Sequence, residues 1–105
     1  MALGGKAVSA ISEHKIKMLL DREDIENLLA LGAPGDEYRS EAQMIYSAVA
    51  KLRHERPHGF TTDQITNIIK DIWQEMFGPM ASDELVAREP IFRKIAAEIC
   101  RMGDI

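Results

Sequence analysis

The stretch that most constrains the fold is "TTDQITNIIKDIWQEMF", Thr61 to Phe77. Ile65, Ile68, Ile69, Ile72, Trp73, Met76 and Phe77 recur at steps of one, three and four, which lays a single broad apolar stripe along an α-helix. Thr61 or Thr62 caps its start, and Gln64 follows Thr61 at capping-box spacing. Gly78 and Pro79 end it. Isoleucine has middling helix propensity, but the period is unambiguous and packing outweighs propensity.

Breakers divide the rest of the chain. They are Gly32-Ala33-Pro34-Gly35, Pro57-His58-Gly59, Gly78-Pro79 and Glu89-Pro90. No run alternates with period two, so no strand is predicted. "DEYRSEAQMIYSAVAKLRHER" forms a second helix with Asp36 as N-cap and Glu37 in its first turn. Tyr38, Ala42, Ile45, Val49 and Leu52 make a heptad-like seam, widened by Met44 and Ala48. "SDELVAR" predicts a short helix capped by Ser82, with Leu85 and Val86 turned inward. A separate helix, "PIFRKIAAEICRMG", then starts with Pro90 at its first position, where a missing N–H costs nothing. Near the N-terminus, Ile16, Leu19 and Leu20 form one stripe, and Ile25, Leu28 and Leu29 form another out of phase with it. A break near Asp21, capping a second short helix, reconciles the two. The expectation is an all-α fold: a four- or five-helix bundle forming a single compact domain over residues 9–105, after a mobile leader at 1–8.

The pattern "HERPH", His54 to His58, matches H-E-x-x-H, the zinc signature of many metalloproteases. That chemistry needs both imidazoles on one face of an unbroken helix, with the glutamate polarising the metal-bound water. Pro57 breaks the helix: it clashes with the Arg53 carbonyl and pushes Arg56 out of the α region. His58 then falls in a turn, and no histidine follows it. Arg53, His54 and Arg56 instead suit the negative end of a helix dipole. No metal and no cofactor is predicted.

The remaining constellations are as unpromising for catalysis. Asp36 and Glu37 lie at a helix start, where the dipole stabilises the charged forms, which is wrong for a general acid. His14 stands among charged residues and is expected to be exposed. Cys100 reads as a small half-buried hydrophobe. "GGK" at Gly4–Lys6 and "GAPGDE" both lack the preceding strand of a phosphate loop. No catalytic residue is assigned, and the chain is not expected to be an enzyme.

Composition narrows the partners. Seventeen acidic against thirteen basic residues give a net charge of −4, which argues against a nucleic-acid partner and leaves a nucleic-acid-associated regulator, reading through Arg53, His54, Arg56 and His58, as the second alternative. The single cysteine permits no internal disulfide and fits the cytoplasm. No apolar run approaches a membrane span. The chain does hold surplus aromatic and methionine side chains, the types enriched at interface cores. Tyr46, Trp73, Met76, Phe77 and Met80 are the candidate partner-binding residues, for a protein partner or for self-association. The rival expectation, a small-ligand or metal site, centres on Asp36, Glu37 and Tyr38. It cannot also use His54 and His58, because a helix of about 18 residues separates its ends by roughly 27 Å.

"LLALGAPGDEYRSEAQMIYSAVAKL", followed by "ITNIIKDIWQEMFG", resembles a group of small uncharacterised bacterial helical proteins. In that group an Asp-Glu-Tyr-Asp motif opens a helix, and a later helix ends in an acidic-Met-Gly type sequence. Asp36, Glu37 and Tyr38 match the motif, and Glu75-Met76-Phe77-Gly78 resembles the later end. Arg39 stands where the motif has its last Asp, and the Trp-Asp-Pro that often precedes the motif is missing. The resemblance spans about residues 25–80 and implies a bacterial cytosolic domain of unknown function, with no catalytic residues to carry over.

Overall fold

The computed structural model describes residues 11–26, 31–32, 37–56 and 59–103. The expected leader at 1–8, Leu28, Leu29, Asp36 and His58 lie outside the described residues. Among the described residues four helices form an all-α bundle: α1 (Glu13–Glu23), α2 (Arg39–Glu55), α3 (Thr62–Phe77) and α4 (Ser82–Gly103). Among the described residues there is no strand.

The helices form a ring. α1 packs on α2 and α4, and α3 packs on α2 and α4, while the diagonal pairs stay apart. Cross-helix pairs fix the directions. Lys70 meets Glu89 and Asp63 meets Arg93, so α3 and α4 run antiparallel. Arg22 meets Glu98 and Glu23 meets Lys94, so α1 and α4 do too.

Local sequence chemistry sets most of the ends. Ser12 caps α1 by accepting from the Lys15 N–H. Thr61 and Gln64 form the reciprocal capping box of α3: the Thr61 hydroxyl accepts from the Gln64 N–H, and the Gln64 side chain accepts from the Thr61 N–H. Gly78, at φ +80°, releases the chain from α3 in a conformation that a side chain resists. α2 ends at Glu55, just before Pro57, and the Arg56 N–H makes the last bond to the Leu52 carbonyl.

Three boundaries differ from the sequence expectation. α1 does not break at Asp21, which pairs with Lys17 at 2.6 Å within the helix. The break comes at Asp24, in the left-handed region at φ +42°, whose N–H still bonds the Leu20 carbonyl. α2 starts at Arg39, not beside Asp36. Tyr38 is its N-cap and makes no side-chain cap bond, because its ring is drawn into the core. The two expected C-terminal helices are one, with Pro90 inside α4. A proline there forfeits the bond to the Val86 carbonyl, yet tertiary contacts hold both halves in line. Arg88 grips Glu26 and Glu89 grips Lys70 just before the proline, and Arg93 grips Asp63 just after it. Val86, expected to turn inward, is 69% exposed, while Leu85 packs against the core.

The core joins Ile16, Leu19 and Leu20 of α1 to the α2 seam, the α3 isoleucines and Phe92, Ile95, Ala96 and Ile99 of α4. Trp73 lies fully buried at its centre. Its ring meets Phe77 at 5.0 Å, Phe92 at 5.7 Å and Tyr38 at 6.1 Å between centroids.

Candidate functional site

The segment after α1 is tied to the aromatic core by a polar network. Tyr38 is buried, and its hydroxyl donates to Asp24 Oδ1 at 2.7 Å and accepts from the Glu26 N–H at 3.2 Å. Glu26 in turn accepts Trp73 Nε1–H at 2.8 Å and a two-pronged fork from Arg88 at 2.7 and 2.9 Å. The Arg88 guanidinium holds the Glu26 carboxyl below the usual range against partial desolvation, with Trp73 assisting. Every polar tip in this network already has a protein partner. It anchors three helices and leaves no donor aimed at a ligand.

That disposition bears on the expected ligand residues. Asp36 lies outside the described residues, Glu37 is exposed, and Tyr38 spends its hydroxyl on Asp24 and Glu26. Glu37 thus lies at the surface while the Tyr38 ring is wholly buried. His14 and His54 are exposed. Among the described residues no three His, Cys, Asp or Glu side chains converge as a metal would need. Cys100 is half-buried, and the Thr62 hydroxyl approaches its Sγ at 3.7 Å.

The expected partner residues are dispersed. Trp73 belongs wholly to the core, and Phe77 and Met80 pack partly against it. The Met80 N–H bonds the Gln74 side chain. Met76 is 38% exposed at the end of α3, and Tyr46 is 36% exposed on the side of α2 that faces α1. There Tyr46 lines a small pocket with Ile11, Val49, Ala50 and Arg53.

The surface instead opens on the other flank of α2. A shallow groove of about 460 Å³ runs between α2 and α3. Met44, Ala48 and Ile72 form its apolar floor, and Gln43, Ser47 and Lys51 border it. Helical spacing explains the set: Met44, Ala48 and Lys51 lie at i, i+4 and i+7 along one edge of α2. Sequence reasoning assigned Met44 and Ala48 to the packed seam. The signal that they border open space was Lys51, the charged residue continuing the same edge.

Electrostatics sets this flank apart. Ion pairs stitch α4 to α1 and to α3. No charged side chain of α2 joins an ion pair among the described residues. On the groove flank Lys51 is exposed, with Glu55 one turn further along the same edge, whereas Arg39 and Arg53 line pockets on the α1 side of α2. Asp71 and Glu75, exposed on the outer side of α3, are likewise unpaired there. The helix pair α2–α3 thus presents an apolar groove bordered by Lys51 of α2, with Asp71 and Glu75 exposed on α3.

One carboxyl is out of place. Glu41, on the inner side of α2, is 5% exposed, and its Oε1 has no hydrogen-bond partner among the described residues. Burial raises its pKa, its own backbone N–H opposes the shift, and the charge of Glu37 adds to it.

Among the described residues no helix is long and apolar enough to cross a membrane. No protein-family model, curated protein or solved structure matches this chain.

Proposed function

We propose that this chain is a non-enzymatic protein–protein interaction module of the cytoplasm, and that it docks its partner on the α2–α3 face. The supporting observation is the groove floored by Met44, Ala48 and Ile72 and bordered by Gln43, Ser47 and Lys51, the last in no ion pair among the described residues. Apolar floors ringed by polar and charged groups are how protein interfaces are built. The polar clusters elsewhere are consumed in holding helices together, as the Glu26–Arg88–Trp73 network is. The resemblance to small bacterial helical proteins is compatible with this reading and supplies no competing activity.

Site-specific photo-crosslinking in the native cell tests it. A photoreactive amino acid replaces Ser47, which borders the groove, and in a control replaces Lys94 on exposed α4. Protein adducts from position 47 and none from 94 are the expected result. Equal labelling at both positions, or none at 47, overturns the reading.

A further inference from the structure

We infer that residues 82–89, the first half of α4, form a hinged strap that undocks and unwinds as one unit at Pro90 while the rest of the bundle stays folded. The inference goes beyond the docking reading and does not depend on it.

Burial divides α4 at the proline. Phe92, Ile95, Ala96 and Ile99 of the second half are fully buried. In the first half no residue is: Leu85, Arg88 and Glu89 are half-buried, and the rest are exposed. Leu85 is its one apolar side chain packed against the core. What else ties this half to the other helices is polar, namely the two-pronged Arg88 fork on Glu26 and the Glu89–Lys70 pair. The second half adds three cross-helix pairs to its buried side chains: Arg93–Asp63, Lys94–Glu23 and Arg22–Glu98. Apolar burial contributes far more to docking than ion pairs near the surface do. The first half is therefore the weakly held one.

The backbone supplies the hinge. Pro90 has no N–H to give the Val86 carbonyl, and its ring crowds that carbonyl, so α4 is weakest at this junction. At the other end Gly78, at φ +80°, and Pro79 already interrupt the helix. Eight residues are too few to hold a helix alone in water, so release and unwinding are a single event. The strap stays tethered at both ends and reseats. Opening lifts Leu85 from the core and takes the Arg88 fork off Glu26, baring surface that the closed bundle covers.

Residue-resolved amide hydrogen exchange of the full chain, followed by NMR, tests this. The helical acceptors of the amides of residues 86–89 and 91–93 lie in the strap. In the wild type these amides share one opening constant, at least about tenfold larger than that of residues 94–100. Arg88→Met raises that constant about tenfold throughout the set. Ile95→Val, which loosens the core under the second half, raises exchange at residues 94–100 about fivefold and leaves the strap set unchanged. If Arg88→Met fails to fold, Glu89→Gln, which weakens the pair with Lys70, gives a rise of about twofold across the same set. A gradient along the set, in which only positions from 88 onward answer Arg88→Met, is end fraying and overturns the inference. So does a strap set that follows Ile95→Val, because its amides then exchange only when the whole bundle unfolds.

Discussion

Trp73 Nε1 donates a 2.8 Å hydrogen bond to Glu26 Oε2, joining the centre of the core to the segment just beyond α1. The bond spans 47 positions of sequence. It places a carboxylate over the aromatic cluster, and only the Arg88 fork makes that tolerable. Asp24, Glu26, Tyr38, Trp73 and Arg88 therefore form one connected unit.

Arg88→Met tests that unit. It preserves the bulk of the side chain and removes both prongs from Glu26. The expected loss is about 1–3 kcal/mol in urea unfolding at neutral pH, the range for a charged hydrogen bond left half-made. The pH dependence has a definite sign. Glu26 has a depressed folded pKa, so its contribution is present above the ordinary glutamate value of about 4.3 and is lost as pH falls through the folded value. Arg88→Met should flatten that acid limb.

Tyr38→Phe removes one hydroxyl and breaks two bonds, to Asp24 and to the Glu26 N–H. A loss of about 1–2 kcal/mol is expected. In a double-mutant cycle with Asp24→Ala the two changes should couple by about 1 kcal/mol. Additivity would show that the hydroxyl and carboxylate act separately.

Glu41→Gln should stabilise the protein. Burial raises the folded pKa of Glu41, so its folded form favours the proton. Its stability contribution is full below about pH 4.3 and is lost as pH rises through the folded value. The carboxamide mimics the protonated acid. The gain should be near zero at acid pH and grow to about 1 kcal/mol at neutral pH, read from urea midpoints across that range. A gain that shrinks as pH rises contradicts the assignment.

Pro90→Ala restores the bond to the Val86 carbonyl and removes a poor helix former from the interior of α4. The expected gain is about 1–3 kcal/mol in thermal or urea unfolding. A destabilised variant would mean that the proline's local geometry is needed for α4 to reach both Glu26 and Lys70.

Much of the bundle was legible without coordinates. The stripe from Ile65 to Trp73 fixed α3, and Thr61, Gln64 and Gly78 fixed its ends, because caps and periodicity act within a few residues. Pro57 stopped α2 for the same local reason. The failures share the opposite cause. Pro90 is a local helix breaker, overruled by ion pairs and core contacts from α1 and α3. Asp21 is a fair cap by type, but its i−4 partner Lys17 and the burial of Leu20 carried the helix past it. Tyr38 was placed on the right seam, yet its bond to Asp24, fourteen positions away, has no sequence signature.

The candidate site divides the same way. Periodicity identified Met44 and Ala48 as apolar positions of α2, and composition identified a surplus of aromatic and Met side chains. Neither could say which of them stays uncovered. That depended on how closely α2 approaches α3 and on which charges other helices had already claimed. The sequence by itself determined the helices, most of their ends and their apolar faces, since these follow from contacts three or four residues apart. Only the tertiary structure decided which face is left open, because exposure is set by neighbours distant in the chain.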